Sequence, residues 1–250
     1  MEEIHIQDGT LVSYTGREEI LAVPEGVHTI GEGALKGCAS LKKVILPQSL
    51  RRILGGAFKG CRKLENVEIP PGLCEIGAYA FHRCHALRTI FLPLAVEALG
   101  DCAFLYCDSL EEARIPGVRH LGNQSFANDV TLKRITLSHA LEEDCICDVF
   151  TGCGLLTEFT FGDGSRFVIP NVVEAVAGKL PLPLLVQRIA ADVLRMMELD
   201  GRTIVQFSTN LKHVEVPEGI EILGKSSFFD KRGIHSVKLR KSLKEIESRA

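Results

Sequence analysis

Cysteine falls at positions 38, 61, 84 and 107 and proline at 24, 47, 70, 93 and 116, and both series advance by 23 residues. The apolar positions between them keep the same step. Leu41, Val44, Leu46, Leu50, Ile53 and Phe58 return as Leu64, Val67, Ile69, Leu73, Ile76 and Phe81, then as Leu87, Ile90, Leu92, Val96, Leu99 and Phe104. Self-similarity at such a period defines a repeat architecture in which one unit cannot bury its own apolar face, so neighbouring units stack and share a core. The expected fold is mainly β: a right-handed solenoid of stacked 23-residue coils with short helical turns.

Each repeat contains two strand signals and a turn signal. Leu-x-x-Val-x-Leu-Pro alternates like a half-buried strand, and the proline stops it because it donates no ladder bond. Leu-x-x-Ile-Gly follows as a second strand; the glycine at Gly31, Gly55, Gly77, Gly100 and Gly122 suits a backbone leaving it. The Ala-Phe pair reads as one short helical turn with its ring inward.

Taken along the chain, residues 1–19 read as a capping β-hairpin around Asp8-Gly9 and Thr15-Gly16. Residues 20–178 form a first array, regular to Cys107 and then less so: Asp129 stands at a cysteine position, Ser138 at a proline position, and Asp144-Cys145-Ile146-Cys147-Asp148 interrupts a coil. Residues 179–207 form a helical insertion. There Leu182, Leu185, Val186, Ile189, Ala190, Val193, Met196 and Met197 lie on one side at helical spacing, and Gln187, Arg188, Asp192, Arg195 and Glu198 on the other. That pattern predicts an amphipathic helix over 182–199, about five turns long. Residues 208–250 form a second array whose last coil lacks its phenylalanine. A stack ending so leaves an apolar edge uncovered, so a longer product or end-to-end pairing with another chain is expected.

The unit Cys-x-x-Leu-x-x-Ile-x-Leu-Pro-x-x-Leu-x-x-Ile-Gly-x-x-Ala-Phe-x-x-Cys resembles the BspA-type leucine-rich repeat, most closely over residues 20–128, and Asp8 to Gly16 resembles the usual start of such arrays. The resemblance implies a binding scaffold, often on bacterial surfaces, with no shared catalytic residues.

Composition narrows the partners. A formal charge of −3 and 24% charged residues demand no polyanion. The first strand's outward pairs alternate in sign, Lys42-Lys43, Glu65-Asn66, Arg88-Thr89, Glu111-Glu112 and Lys133-Arg134, which sets coil register and denies nucleic acid a stripe of one sign. No stretch reaches the roughly 18 apolar residues of a membrane span, and the N-terminus lacks a signal pattern, so cytoplasmic localisation without membrane insertion is expected. The nine cysteines, five of them at one repeat position, read as buried thiols rather than disulfides, because stacked side chains stay near the strand spacing. Cys145, Cys147, Cys153 and nearby His139 are the one candidate metal or redox cluster, without a standard zinc spacing. Gly162-Asp163-Gly164-Ser165 matches neither a nucleophile elbow nor a phosphate loop.

The reading is therefore a non-catalytic scaffold that needs no cofactor or metal and binds another protein through its sheet face. The third outward position carries Ile45 and Phe91, and together with Lys43, Thr89 and Glu112 they form the candidate partner-binding patch. The alternative from a different class is a bacterial cell-surface adhesin for host matrix protein or glycan.

Overall fold

In a computed structural model, residues 4–142, 146–170, 172–195, 197–207, 213–228, 234–248 and 250 are described. The chain opens with an antiparallel hairpin, β1 (Ile4–Gln7) and β2 (Thr10–Tyr14), closed at Asp8-Gly9. Each following coil supplies a first and a second strand: β3 (Ile20–Ala22) with β4 (Thr29–Ile30), β5 (Lys43–Ile45) with β6 (Arg52–Ile53), β7 (Asn66–Glu68) with β8 (Glu75–Ile76), β9 (Thr89–Phe91) with β10 (Ala98–Leu99), and β11 (Glu112–Ile115) with β12 (His120–Leu121). Strand β13 (Arg134–Leu137) begins the next coil, and β14 (Glu158–Phe161) folds back antiparallel on β15 (Arg166–Val168).

Second strands pair in parallel behind the hairpin in the order β1-β2-β4-β6-β8-β10-β12. First strands form two sheets, β3-β5-β7 and β9-β11-β13-β14-β15. Register is set by sequence position 23 residues on, as in Val44 opposite Val67 and Ile53 opposite Ile76. The expected glycines serve close approach rather than an unusual backbone angle. A Cβ built on Gly77 lies 2.7 Å from the Gly55 nitrogen and one on Gly100 only 2.3 Å from that of Ala78, so a side chain at either site pushes adjacent coils apart.

The Ala-Phe segment is a run of tight turns and not a helix. Its amides alternate between two acceptors. Ala57, Lys59 and Cys61 donate to carbonyls three residues back, while Gly56, Phe58 and Gly60 donate to Ala78, Ala80 and His82 of the next coil at 2.7–2.8 Å. The same trio recurs as Tyr79, Phe81 and Arg83 donating to Asp101, Ala103 and Leu105, and as Cys102, Phe104 and Tyr106 donating to Asn123, Ser125 and Ala127. Within a helix beyond its first turn every amide bonds inside its own segment, so amides that alternate between the coil's own carbonyls and those of the next coil mark turns instead. The alternation places two residues per coil in the left-handed region, glycine at 33, 37, 56 and 60 but Tyr79, Arg83, Cys102, Tyr106, Gln124 and Asn128 further on. A non-glycine residue there costs about 1 kcal/mol or more.

The main core is one continuous cluster, with a small separate group formed by Cys102, Leu105 and Ala127. Phe58, Phe81, Phe104, Phe126 and Phe150 are fully buried and stack in register with ring centroids 5.0–5.8 Å apart and nearly parallel planes. That separation follows from the spacing of hydrogen-bonded strands, about 4.8 Å, and places the rings in favourable stacking range.

The stack of the first array ends against two helices, α1 (Val172–Val176) and α2 (Leu184–Val193). The helix expected over 182–199 is thus shorter, and Met197 belongs to strand β16 (Met197–Asp200), which pairs antiparallel with β17 (Thr203–Phe207) across Gly201-Arg202. This second hairpin resembles the first: each has one register shift, a two-residue turn (Asp8-Gly9 in the first, Gly201-Arg202 in the second), and an outgoing strand that pairs in parallel with the next second strand, β2 with β4 and β17 with β19 (Ile222–Leu223). The remaining strands are β18 (His213–Glu215), paired with β20 (Ser236–Lys238), and β21 (Glu245–Ile246), paired with β19.

Asp192, placed by its spacing on the polar side of the helix, is buried. Its carboxylate accepts the Asp148 N–H at 2.8 Å and the Phe150 N–H at 2.7 Å, with the Arg195 guanidinium 3.2 Å away. Asp148 and Phe150 occupy the positions whose amides elsewhere reach the next coil, so the side chain of Asp192 replaces the missing carbonyls and caps the stack. Leaving the buried Phe150 donor without an acceptor costs about 1–3 kcal/mol, and the partly buried Asp148 donor less. Asp192→Ala is accordingly expected to lower unfolding free energy by about 3 kcal/mol, and Asp192→Asn, which keeps one acceptor oxygen, by less; urea denaturation of the full chain measures both.

Candidate functional site

The outward row of the first strands places Lys43 and Ile45 on β5, Thr89 and Phe91 on β9, and Glu112 on β11. Ile45 is 48% exposed and Phe91 46%. They are two coils apart, with Glu68 between them opposite Ile45. The break between the two first-strand sheets falls at this point, since β7 and β9 are not joined in a ladder. Pro70-Pro71 follows β7, and two successive residues without an N–H weaken pairing there. A shallow depression opens beside the break, lined by Lys43, Ile45, Gln48, Glu68, Ile69 and Pro70.

The five residues differ in availability. Lys43 extends to Glu68 of the next coil at 3.5 Å with both side chains largely in solvent, an interaction of small worth. Phe91 carries the Arg114 guanidinium over its ring, 4.4 Å from the centroid. Arg114 also holds Glu112 at 2.7 Å, and Arg134 of the following coil approaches the same carboxylate at 3.0 Å. Burial alone raises the Glu112 carboxyl, but the hydrogen bonds from Arg114 and Arg134 outweigh it and hold the group below its ordinary value. Glu112 is therefore engaged within the solenoid, whereas Ile45, Phe91 and the outer face of Arg114 present surface. Sequence reasoning missed Arg114, although its place directly opposite Phe91 in the repeat register identifies it.

The expected alternation of charge is present as ion pairs between coils: Glu19 with Lys42 at 2.8 Å, Glu111 with Lys133 at 3.3 Å and Glu112 with Arg134. The middle of the other sheet carries Arg52, Glu75, Ala98 and His120 outward and has no comparable apolar pair.

The cysteine ladder does more than fill space. Cys61, Cys84, Cys107 and Cys153 are buried and free, and their thiols donate to the carbonyls of Leu35, Phe58, Phe81 and Phe126 in the preceding coil at 3.0–3.3 Å. Burial pushes the thiols of Cys84, Cys107 and Cys153 upward, away from the reactive thiolate. In the candidate metal cluster, Cys145 lies outside the described residues. Cys153 faces the core, Cys147 is exposed and accepts from Arg195 at 3.4 Å, and His139 is paired with Asp163 at 2.8 Å. The described members point to different partners. Among the described residues no group of three His, Cys, Asp or Glu side chains is disposed to hold a metal, and no helix is long and apolar enough to cross a membrane.

These coils, with their inward Leu, Ile, Phe and Cys positions, define a leucine-rich-repeat solenoid. The BspA type leucine rich repeat region matches the chain in six copies, over residues 28–155 and 203–250, and the chain belongs to that family. None of the curated proteins matches it. Among solved structures it is similar to a leucine-rich repeat protein of T. pallidum, with 33% identity and a TM-score of 0.57, covering 60% of this chain and 72% of that one. It also shares its fold with a leucine-rich repeat protein from Bacteroides ovatus, with 23% identity and a TM-score of 0.55, covering 98% of this chain and 66% of the other.

At the cysteine position of one coil, Asp129 is fully buried. One carboxylate oxygen accepts the Cys107 N–H at 2.7 Å, and the other has no hydrogen-bond partner. Burial raises its carboxyl well above the ordinary value, only partly offset by the Cys107 amide. A carboxyl raised by folding stabilises least where the unfolded chain has already lost its proton. Stability from this group is therefore fully present below the usual aspartate range near pH 4 and is lost as pH rises through the folded value. Asp129→Cys, which restores the ladder, is expected to gain stability over the natural chain at pH 7 and much less at pH 4. Parallel denaturation curves at the two pH values provide the check.

Proposed function

We propose that this chain is a non-catalytic scaffold that binds another protein through the exposed face of its first strands. The observation that carries the reading is the pair Ile45 and Phe91, each about half exposed on a face where Lys43, Glu68, Glu112 and Arg114 are already matched by ion pairs and where the exposed Ile20 and Ala22 of β3 extend the apolar surface beside Ile45. Ion pairs of that kind contribute little to affinity, whereas an exposed aromatic beside a guanidinium is the type of anchor around which an interface is built. Phe91 with Arg114 stacked on it supplies the apolar and cationic element, Ile45 the second apolar contact, and Lys43 and Thr89 the polar rim. The fold supports this role because the strands are fixed to one another coil by coil, so the side chains are held in position before a partner arrives.

The family's role as a repeat scaffold supports protein binding in general; the choice of this face rests on the residues. Phe91→Asp and Ile45→Asp leave every core contact in place and are expected to melt within a few degrees of the natural chain. In capture from lysate of the source organism, a protein retained by the natural chain and by Lys133→Gln should be lost from both Asp variants. Equal retention on all four chains removes the sheet face as the binding surface.

A further inference from the structure

The turn face, on the side of the solenoid where the stacked phenylalanines leave the second strands, differs from the sheet face in its treatment of charge. On the sheet face Lys42, Lys43, Arg114, Lys133 and Arg134 each have an acidic partner, while Arg88 has none among the described residues. On the turn face Lys36, Lys59 and Arg83 come from three successive coils, and among the described residues none of the three enters an ion pair. Nearby acids are occupied or at the margin: Asp101 accepts the Asn123 N–H at 2.8 Å, Asp108 is paired with His85 at 2.7 Å, and Glu32 stands in the first coil.

The same face shows a second departure from a plain repeat. Where the first coils use glycine in the left-handed region, Tyr79, Arg83 and Tyr106 adopt φ of 59°, 59° and 62°. The alternating turn hydrogen bonds of the repeat impose that region at two positions per coil, so the backbone fixes where these residues emerge. Their side chains build an aromatic strip. Tyr79 and Tyr106 flank the buried His82 ring at 5.6 and 6.1 Å, Lys59 lies 4.7 Å from the Tyr79 ring centroid, and Arg83 lies 5.7 Å from that of Tyr106. Tyr79 remains 40% exposed. The rings hold the cations by their quadrupoles without neutralising them, so the positive charge stays available to a third party.

We infer that the turn face around Lys36, Lys59, Tyr79 and Arg83 is a second binding surface, separate from the sheet face, and that its occupant is an acidic segment of a partner protein. Coils repeat every ~4.8 Å, and alternate residues of an extended peptide recur about every 6.6 Å, a mismatch within reach of the flexible lysine stems. Three cations bounded by Glu32 and Asp101 suit a short run of carboxylates; a nucleic-acid backbone requires a longer stripe of positive charge.

A fluorescein-labelled polyglutamate peptide of about ten residues, titrated into the full chain at low salt and observed by anisotropy, tests the surface directly. The natural chain should bind it saturably and Lys36→Gln/Lys59→Gln/Arg83→Gln about tenfold more weakly, with Lys42→Gln/Lys133→Gln unchanged as the sheet-face control. Arg83→Gly should weaken binding while its melting temperature holds or rises, because glycine relieves the left-handed backbone. The inference is overturned if the natural chain shows no saturable binding, if both multiple variants lose it equally, or if a sulfated oligosaccharide binds at this face and polyglutamate does not compete. Failure here leaves the Phe91 and Ile45 comparison untouched, since neither residue enters this experiment.

Discussion

The structure depends on the row of backbone hydrogen bonds that joins each turn to the next. In most repeat coils the strands alone satisfy only part of the backbone, and a buried amide without an acceptor costs as much as a lost hydrogen bond. Here Gly56, Phe58 and Gly60, and their counterparts coil after coil, send their N–H groups across to the following turn. That row fixes the coil separation, the separation fixes the phenylalanine rings at stacking distance, and the rings with the inward leucines and isoleucines fill the interior. The cysteine thiols tie the same turns backward to the preceding coil. A break anywhere in the row exposes donors that something else has to meet.

Two devices meet that requirement. A hairpin closed at Asp8-Gly9 begins the first stack, and a second antiparallel hairpin, β16 and β17, closed at Gly201-Arg202, precedes β19. Between them the carboxylate of Asp192 takes the two amides that the interrupted coil leaves open. The inserted helix is thus an acceptor for the first stack rather than a cover for an apolar edge alone.

Much of this was legible in the sequence, because the 23-residue period fixes which residues lie side by side. It placed Val44 beside Val67, brought the phenylalanines into one column, and put Ile45 and Phe91 on one outward row. It failed where two rules give one pattern. The apolar residues from Leu182 to Met197 satisfy a helical spacing, yet the helix ends at Val193 and Met197 enters a strand, since Gly201 serves a hairpin turn as well as a helix stop. Asp192 reads as solvent-facing because spacing reports polarity and not the presence of open amides next door. The left-handed turn positions were hidden as well: glycine signals them at 33, 37, 56 and 60, and Tyr79 and Arg83 carry no such signal. Of the candidate patch, the period located the residues but not the engagement of Glu112 by two arginines, which follows from side-chain reach across coils.

The same rigid frame explains why binding is assigned to its surfaces. A scaffold with its backbone satisfied coil to coil loses little freedom when a partner docks, and differences between its faces then lie in side chains alone. The most direct measurement of that frame is amide hydrogen exchange, residue by residue, on the full chain. If the turn row organises the fold, the amides of Phe58, Phe81, Phe104, Phe126 and Phe150 exchange at the slow rate of global unfolding, and Asp192→Ala releases Asp148 and Phe150 first. Rapid exchange at the phenylalanine amides of the natural chain, with protection confined to the strands, contradicts the account.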